Sequence, residues 1–589
     1  MSYNLNIEPE TDKKKKPGFK SLKSLVAHMV EEKKILLVAF IAMVFTAVLN
    51  LAGPIMIGYT IDNYIQTKQF HGVLVFSGIL LAMYIVALGA GYLQTKLMGS
   101  VGQRMLYHLR NSVFSKLQEL PYDFFNQNKA GDLISRINND TEKVNQFFSQ
   151  SLMQFLRFIL IMIGAGIFVL SIHFELGAAA LAPGLLIWGF TKIVSVWVKK
   201  RNTINLKSVG ALSSEVQESL NNFKVIVAFN RRDYFRKRFD LVNLDNYKTS
   251  VKAGIANNIF LPVYTFLSNI GLLIVLALGI YFISVGEFTV GLLISFIAYL
   301  NSFYSPLRQL ASLWASFQVA MAAWDRIRKI LDLESNLPIN ENNENIQVDA
   351  DSVVTFKDVS FSYPNGNEVL HQINFTLRKG KTYAFVGPTG GGKTTTASLI
   401  SRLYDPTKGV IVLDKRDIRS YKPEERVKKI GFILQDPFLF SGTIRENILY
   451  GNDEYQDYKN GELTKIFHDS GLESLLMRFE NGLETKVNDS GDGISLGQKQ
   501  LIAFMRAVLR KPDLLILDEA TANIDTVTEK LLDEILQKLP KTTTKVIIAH
   551  RLNTIANADV IYFVNSGNVT RAGSLKDAVD MLMKGKMAS

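Results

Sequence analysis

Residues Ile35 to Met56 contain no charged side chain. Neither does Val73 to Gln94 or Ala253 to Gly286, and Phe288 to Leu307 follows after Glu287 alone. Two further stretches, 150–172 and 177–198, carry with the turn between them only Arg157, Glu175 and Lys192. Each run approaches or exceeds the ~20 residues of helix that cross a hydrocarbon core of ~30 Å. In lipid the backbone polar groups of such a run must be satisfied within the helix itself. The pattern therefore predicts six membrane-crossing helices, at about 34–56, 73–98, 150–172, 177–198, 256–284 and 288–312. Buried helices in a large soluble core are the alternative, but so many uncharged runs of this length rarely share one soluble domain.

The flanking charges give an orientation. Between the first two runs the only basic residue is Lys68, and the turns near 171–177 and 284–289 have none. By contrast, the leader holds Lys13 to Lys16, Lys20, Lys23, Lys33 and Lys34, and the segments 95–149 and 199–252 are rich in Lys and Arg. Lys and Arg near helix ends mark the cytosolic side. A multi-pass protein of the cell membrane with both termini cytosolic is expected. Much of the net charge of +12 is then topological, and no nucleic-acid partner is expected. The two long basic segments are patterned for helix, so several helices are expected to continue beyond the bilayer. The chain has no cysteine, which removes disulfides, thiolate metal sites and cysteine nucleophiles.

Composition changes after Asp332. Residues 1–33 read as a leader and elbow and 34–332 as the membrane region. The polar, Asn-rich stretch 333–352 reads as a linker. From Val353 to Ser589, short β-rich runs alternate with helical stretches, which predicts an α/β domain.

That domain carries phosphate chemistry. The strand Thr382 to Val386 runs into Gly387-Pro388-Thr389-Gly390-Gly391-Gly392-Lys393-Thr394-Thr395, the spacing of a P-loop. Glycines let backbone N–H groups curl around phosphates, Lys393 can reach the β/γ oxygens, and the Thr394 hydroxyl can bind Mg²⁺. The strand "LLILD" ends in Asp518, and Glu519 follows it. There Asp518 can hold the metal through water and Glu519 can polarise an attacking water. A second apolar strand ends in His550, a position that is structural or catalytic depending on its surroundings.

In chain order, Tyr363 in "FSYPNG", the P-loop, Gln435 ending "GFILQ", "ISLGQKQ", "LDEATANID" and "AHR", behind six membrane helices, resemble the ABC exporters. More specifically, they resemble half-transporters with one membrane region fused to one ATPase domain. The resemblance implies a six-helix all-α membrane domain followed by an α/β P-loop ATPase domain. Its implied ligands are ATP and Mg²⁺. It also implies roles: Tyr363 against adenine, residues 387 to 395 around phosphate, Gln435 sensing metal and water, Glu519 as base, His550 at the γ-phosphate, and Thr394, Gln435 and Asp518 around the metal. "LPYDFFNQNKAGDLISRINND" and "VIVAFNRRDYFRKRF" resemble the segments whose short helices dock on ATPase domains.

In that family the stretch after the second Gly-rich turn faces the partner's ATP. Here Ser495, Gly497 and Gln498 are retained, but Leu496 stands where the family has glycine. The preceding stretch departs too, with Ser490 at an arginine position, and the D-loop reads Ala-Asn-Ile-Asp, ending in Asp525. Complete catalytic groups beside an altered signature imply a heterodimer with a second half-transporter whose own acid is altered. A homodimer tolerating Leu496 is the alternative. The resemblance implies export of hydrophobic or amphipathic small molecules, multiple drugs first and lipids second. A gated channel or regulator belongs to another class. Phe260, Tyr264, Phe266, Asn269, Phe296, Tyr299, Phe303 and Tyr304 either line a cavity or pack helices. Arg157 and Lys192 either serve cargo or snorkel.

Overall fold

The computed structural model describes residues 3, 5, 32–335, 337–340, 345–364, 366–488, 493–519, 526–548, 555 and 557–587. It divides into two compact units. One holds Met1–Ile7, Glu119–Ala130 and Leu333–Ser589, and the other holds Glu8–Gln118 and Gly131–Asp332.

The second unit is helical. Its main elements are α1 (Lys33–Thr60), α2 (Phe70–Glu119), α3 (Leu152–Ile172), α4 (Phe174–Asn221), α5 (Arg232–Asn258), α6 (Phe260–Val285) and α7 (Val290–Leu331). With their continuations they make six spans long and apolar enough to cross a membrane. Two of them, α2 and α4, run on without a break far past their apolar stretches. The start of α7 is fixed by polar groups. Thr289 caps it by accepting from Leu292 N at 3.2 Å, and Asp62 accepts from Gly291 N at 2.8 Å, an acid where the helix dipole is positive. At Gly291 the chains approach so closely that a Cβ would lie 2.1 Å from the Gly58 carbonyl oxygen. Only glycine permits this contact, as is usual where membrane helices cross.

The interior of this unit places five of the seven aromatic residues left open. Tyr264, Phe296, Tyr299 and Tyr304 are buried among Ala165, Val169 and Val275. The three tyrosine hydroxyls are also engaged. Tyr304 donates to the Ala180 carbonyl at 2.7 Å, Tyr299 to the Leu51 carbonyl, and Tyr264 pairs with Thr191. These four pack helices, whereas Phe266 is exposed. Lys192 places its ammonium 5.2 Å from the ring centre of exposed Trp188, and Arg157 lies 5.4 Å from that of Phe158.

The first unit contains β1 (Ser352–Ser362), β2 (Glu368–Arg378), β3 (Thr382–Val386), β4 (Lys408–Leu413), β5 (Arg416–Asp417), β6 (Ile430–Ile433), β7 (Gly442–Thr443), β8 (Lys486–Val487), β9 (Leu514–Asp518), β10 (Thr544–Ile548), β11 (Val560–Asn565) and β12 (Asn568–Ala572). An antiparallel sheet has the order β2-β1-β4-β5, and a six-stranded sheet the order β12-β11-β3-β10-β9-β6. In the latter all pairings are parallel except that of β12 at the edge. Central parallel strands are covered on both faces and so read as continuous apolar runs; β9 is buried at every residue. One core lies around Phe356, Phe375, Phe385 and Tyr562, and the other around Leu501, Phe504, Ile448 and Phe467. Helices α8 (Lys393–Ile400), α9 (Leu496–Val508) and α10 (Thr526–Lys538) belong here, as does the short helix Tyr122–Gln127.

Candidate nucleotide site

The site forms at the carboxyl ends of β3 and β9. Two strands lie on either side of β10, which puts the loop after β3 near the acids that end β9. Residues Gly387 to Gly392 join β3 to α8. Gly387 has φ +150°, and a Cβ there would sit 1.9 Å from the Val564 carbonyl oxygen. A larger residue would therefore push the loop off β11.

Lys393 is only 5 % exposed, and its ammonium donates to the Gly387 and Pro388 carbonyls at 2.9 and 3.0 Å. Burial lowers its pKa, partly opposed by the carboxylates of Glu519 and Asp518. A cation held this way, close to two acids and short of solvent, is poised for a polyanion. Thr394 donates its hydroxyl to Asp518 Oδ1 at 3.3 Å. A hydroxyl beside a carboxylate that is 2 % exposed fits Mg²⁺, which takes one or two protein oxygens and completes its shell with phosphate and water.

Gln435 donates its side-chain amide to Glu519 Oε2 at 2.7 Å. Glu519 has φ +49° and donates its backbone N–H to the Ile548 carbonyl at 3.1 Å. A glutamate in the left-handed region is held against its own preference, which is common where a side chain must be aimed. Here it is aimed at Gln435, so both groups could share one water.

Tyr363 and Thr395 hydrogen-bond through their hydroxyls at 3.0 Å. The Tyr363 ring meets Tyr404 edge-on, with centroids 5.3 Å apart. Tyr404 has no motif around it, and nothing in sequence reasoning singled it out. The structure thus brings together Tyr363, residues 387–395, Gln435, Asp518 and Glu519. Ser495 and Gln498 stand at the start of α9 in a capping box. Ser495 Oγ accepts from Gln498 N at 3.2 Å, and Gln498 Oε1 accepts from Ser495 N at 3.0 Å. Gly497 lies in the first turn of α9, and Leu496 is 43 % exposed at its first position. Ser490, Gly491, Asp525 and His550 lie outside the described residues.

Comparison with known proteins agrees with this geometry. Residues 36–307 match the ABC transporter transmembrane region, and residues 370–522 match the ABC transporter family. The chain is 34% identical over 554 residues to the uncharacterized ABC transporter ATP-binding protein YfiC of Bacillus subtilis (strain 168), covering 94% of this chain and 91% of that protein. It is 32% identical over 494 residues to a fatty acid ABC transporter ATP-binding/permease protein of Mycobacterium tuberculosis (strain CDC 1551 / Oshkosh), covering 84% of this chain and 77% of that one. With a multidrug resistance ABC transporter ATP-binding and permease protein of Lactococcus lactis subsp. lactis (strain IL1403) it shares 30% over 501 residues, 85% and 84% of the two chains. A membrane region, a P-loop with its acids in register and these relatives have one reading: the chain belongs to the ABC transporter family, as an exporter-type half-transporter and transport ATPase.

Proposed function

We propose that this chain is one half of a heterodimeric exporter of hydrophobic or amphipathic compounds, and that it supplies the catalytic groups of the competent ATP site. The observation that carries the reading is a contrast within one domain. Gln435 and Glu519 are joined at 2.7 Å, while the signature helix presents an exposed Leu496 in place of glycine. Glu519 would take the proton of the attacking water, Gln435 would hold that carboxylate and water in line, and Lys393 would exchange its carbonyl partners for phosphate oxygens. Mg²⁺ held by Thr394 and Asp518 would neutralise charge on the β and γ oxygens. Orientation with both termini in the cytosol is part of the same proposal. A partner is further supported by Phe223, Val225 and Phe229, which the chain leaves exposed on the second cytosolic segment.

The test is purification of the chain alone and with the product of any half-transporter gene found beside its own. The pair is expected to hydrolyse ATP under stimulation by cationic amphipathic drugs, with Glu519→Gln abolishing turnover. Full-rate hydrolysis by the lone chain as a homodimer would overturn the pairing.

Lipid movement is a second reading, favoured by one feature. An apolar cleft of about 390 Å³ is lined only by Val48, Leu51, Ala52, Ile55, Met56 and Phe168, with no polar group to select a head. Transbilayer movement of a labelled lipid, without drug stimulation of ATPase, would choose this reading.

A further inference from the structure

Tyr3 is 2 % exposed and lies against a segment more than a hundred residues away in sequence. Three backbone groups, two of Tyr3 and one of Leu5, are paired by two adjacent side-chain amides. Tyr3 N donates to Gln127 Oε1 at 2.8 Å, Asn128 Nδ2 donates to the Tyr3 carbonyl at 2.8 Å, and Leu5 N donates to Asn128 Oδ1 at 3.1 Å. Gln127 and Asn128 thus satisfy, with side-chain amides, backbone groups of two residues that would otherwise need water. Both amides are held in place, Gln127 by donating to Asp123 at 2.9 Å and Asn128 by donating to the Phe124 carbonyl at 2.8 Å.

The side chain is read as well. The Tyr3 ring meets fully buried Phe124 edge-on at 6.1 Å and 85°. Its hydroxyl donates to the Glu334 carbonyl at 2.8 Å, which a phenylalanine could not do. Glu334 lies just past the end of α7, so one tyrosine contacts both the short helix Tyr122–Gln127 and the start of the linker.

We infer that Phe124, Gln127, Asn128 and the Glu334 carbonyl form a recognition site for a peptide segment that presents a tyrosine and, two residues on, a backbone N–H. The chain's own Tyr3 and Leu5 fill it. Filling it fixes the short helix to the linker.

The chain has no cysteine, so Leu5→Cys with Lys129→Cys introduces its only two thiols. The full chain in lipid nanodiscs, treated with a short bismaleimide, is expected to crosslink within itself. Adding Tyr3→Ala should lower the yield about tenfold, as loss of a buried ring and its hydrogen bond implies. Tyr3→Phe, which loses only the Glu334 bond, should fall between. Equal yields in all three overturn the inference. Hydrogen exchange gives an independent readout that requires no thiols. The amides of Tyr122–Asn128 should exchange several-fold faster in Tyr3→Ala, and unchanged exchange also overturns it.

Discussion

Asn126 donates its side-chain amide to the hydroxyl of Tyr404 at 2.7 Å. Tyr122 meets the same ring edge-on at 6.1 Å, and the ring in turn meets Tyr363, which is bonded to Thr395. Side chains in contact thus run from the helix after the P-loop to the short helix Tyr122–Gln127. Tyr404→Phe cuts this path at one bond and leaves the ring packing intact. Nucleotide binding should stay within about twofold, while cargo stimulation of ATPase should fall by roughly 2- to 30-fold, the range for residues that couple two sites. Asn126→Ala should do the same, and the double variant no more. Independent losses in the double variant would show that the two residues act separately.

The same tyrosine should report its burial to a titration. Its pKa is pushed up to about 12 by burial, with the Asn126 hydrogen bond pulling the other way. An unfolded tyrosine ionises near ~10. Below about pH 10 both states keep the proton and the contribution to stability is fully present. Between about 10 and 12 the unfolded chain releases a proton that the folded one retains, so stability declines as pH rises through that window. Phenolate absorbance should lose a late-ionising component in Tyr404→Phe, and the wild type should lose more thermal stability than the variant on going from about pH 9 to about pH 11.

Local signals made the membrane class and the phosphate loop legible in the sequence. A charge-free run such as Ile35 to Met56 has one physical solution in lipid, and the spacing of Gly387, Gly392, Lys393 and Thr394 encodes its geometry in eight residues. Tyr264, Tyr299 and Tyr304 were ambiguous because an aromatic residue on a membrane helix can face a cavity or a neighbouring backbone. Their hydroxyls bond to Thr191, Leu51 and Ala180, all far away in sequence. Tyr404 and Tyr3 were invisible for the same reason. Neither lies in a periodic pattern, and Tyr3 stands in a polar leader where only the tertiary contacts of Gln127 and Asn128 give it a place.

Lys393 offers a separation of stability from binding. Its ammonium is buried, its pKa is lowered by that burial, and its two bonds go to backbone carbonyls. Removing it relieves the cost of burying a charge, which offsets the lost bonds to the two carbonyls and the lost attraction of Glu519 and Asp518. Lys393→Met should therefore leave the nucleotide-free melting temperature within about 2 °C of wild type or above it. The upward shift produced by added ATP and Mg²⁺ should vanish, since that shift is binding free energy. Thermal scans with and without nucleotide check both parts. A variant that melts much lower without nucleotide would mean that the lysine is chiefly structural.

Leu496 tests the proposed pairing from the other side. The capping box between Ser495 and Gln498 sets the start of α9, and Leu496 projects from its first turn. If that turn faces the partner's bound phosphate, its side chain holds the helix start and its N–H groups away from the anion. Leu496→Gly removes the obstruction and leaves the capping box in place. In the heterodimer, nucleotide should be retained about tenfold more tightly at the partner's P-loop, the effect of regaining a charge-assisted hydrogen bond. On the proposed pairing, turnover should stay near wild type, because an altered acid in the partner would serve that site and Glu519 would work at the other one. Trapping of labelled nucleotide in a Glu519→Gln background measures the first, and steady-state hydrolysis the second. A homodimer gives the opposite pattern: both of its sites contain Leu496 and Glu519, so Leu496→Gly would raise turnover at each.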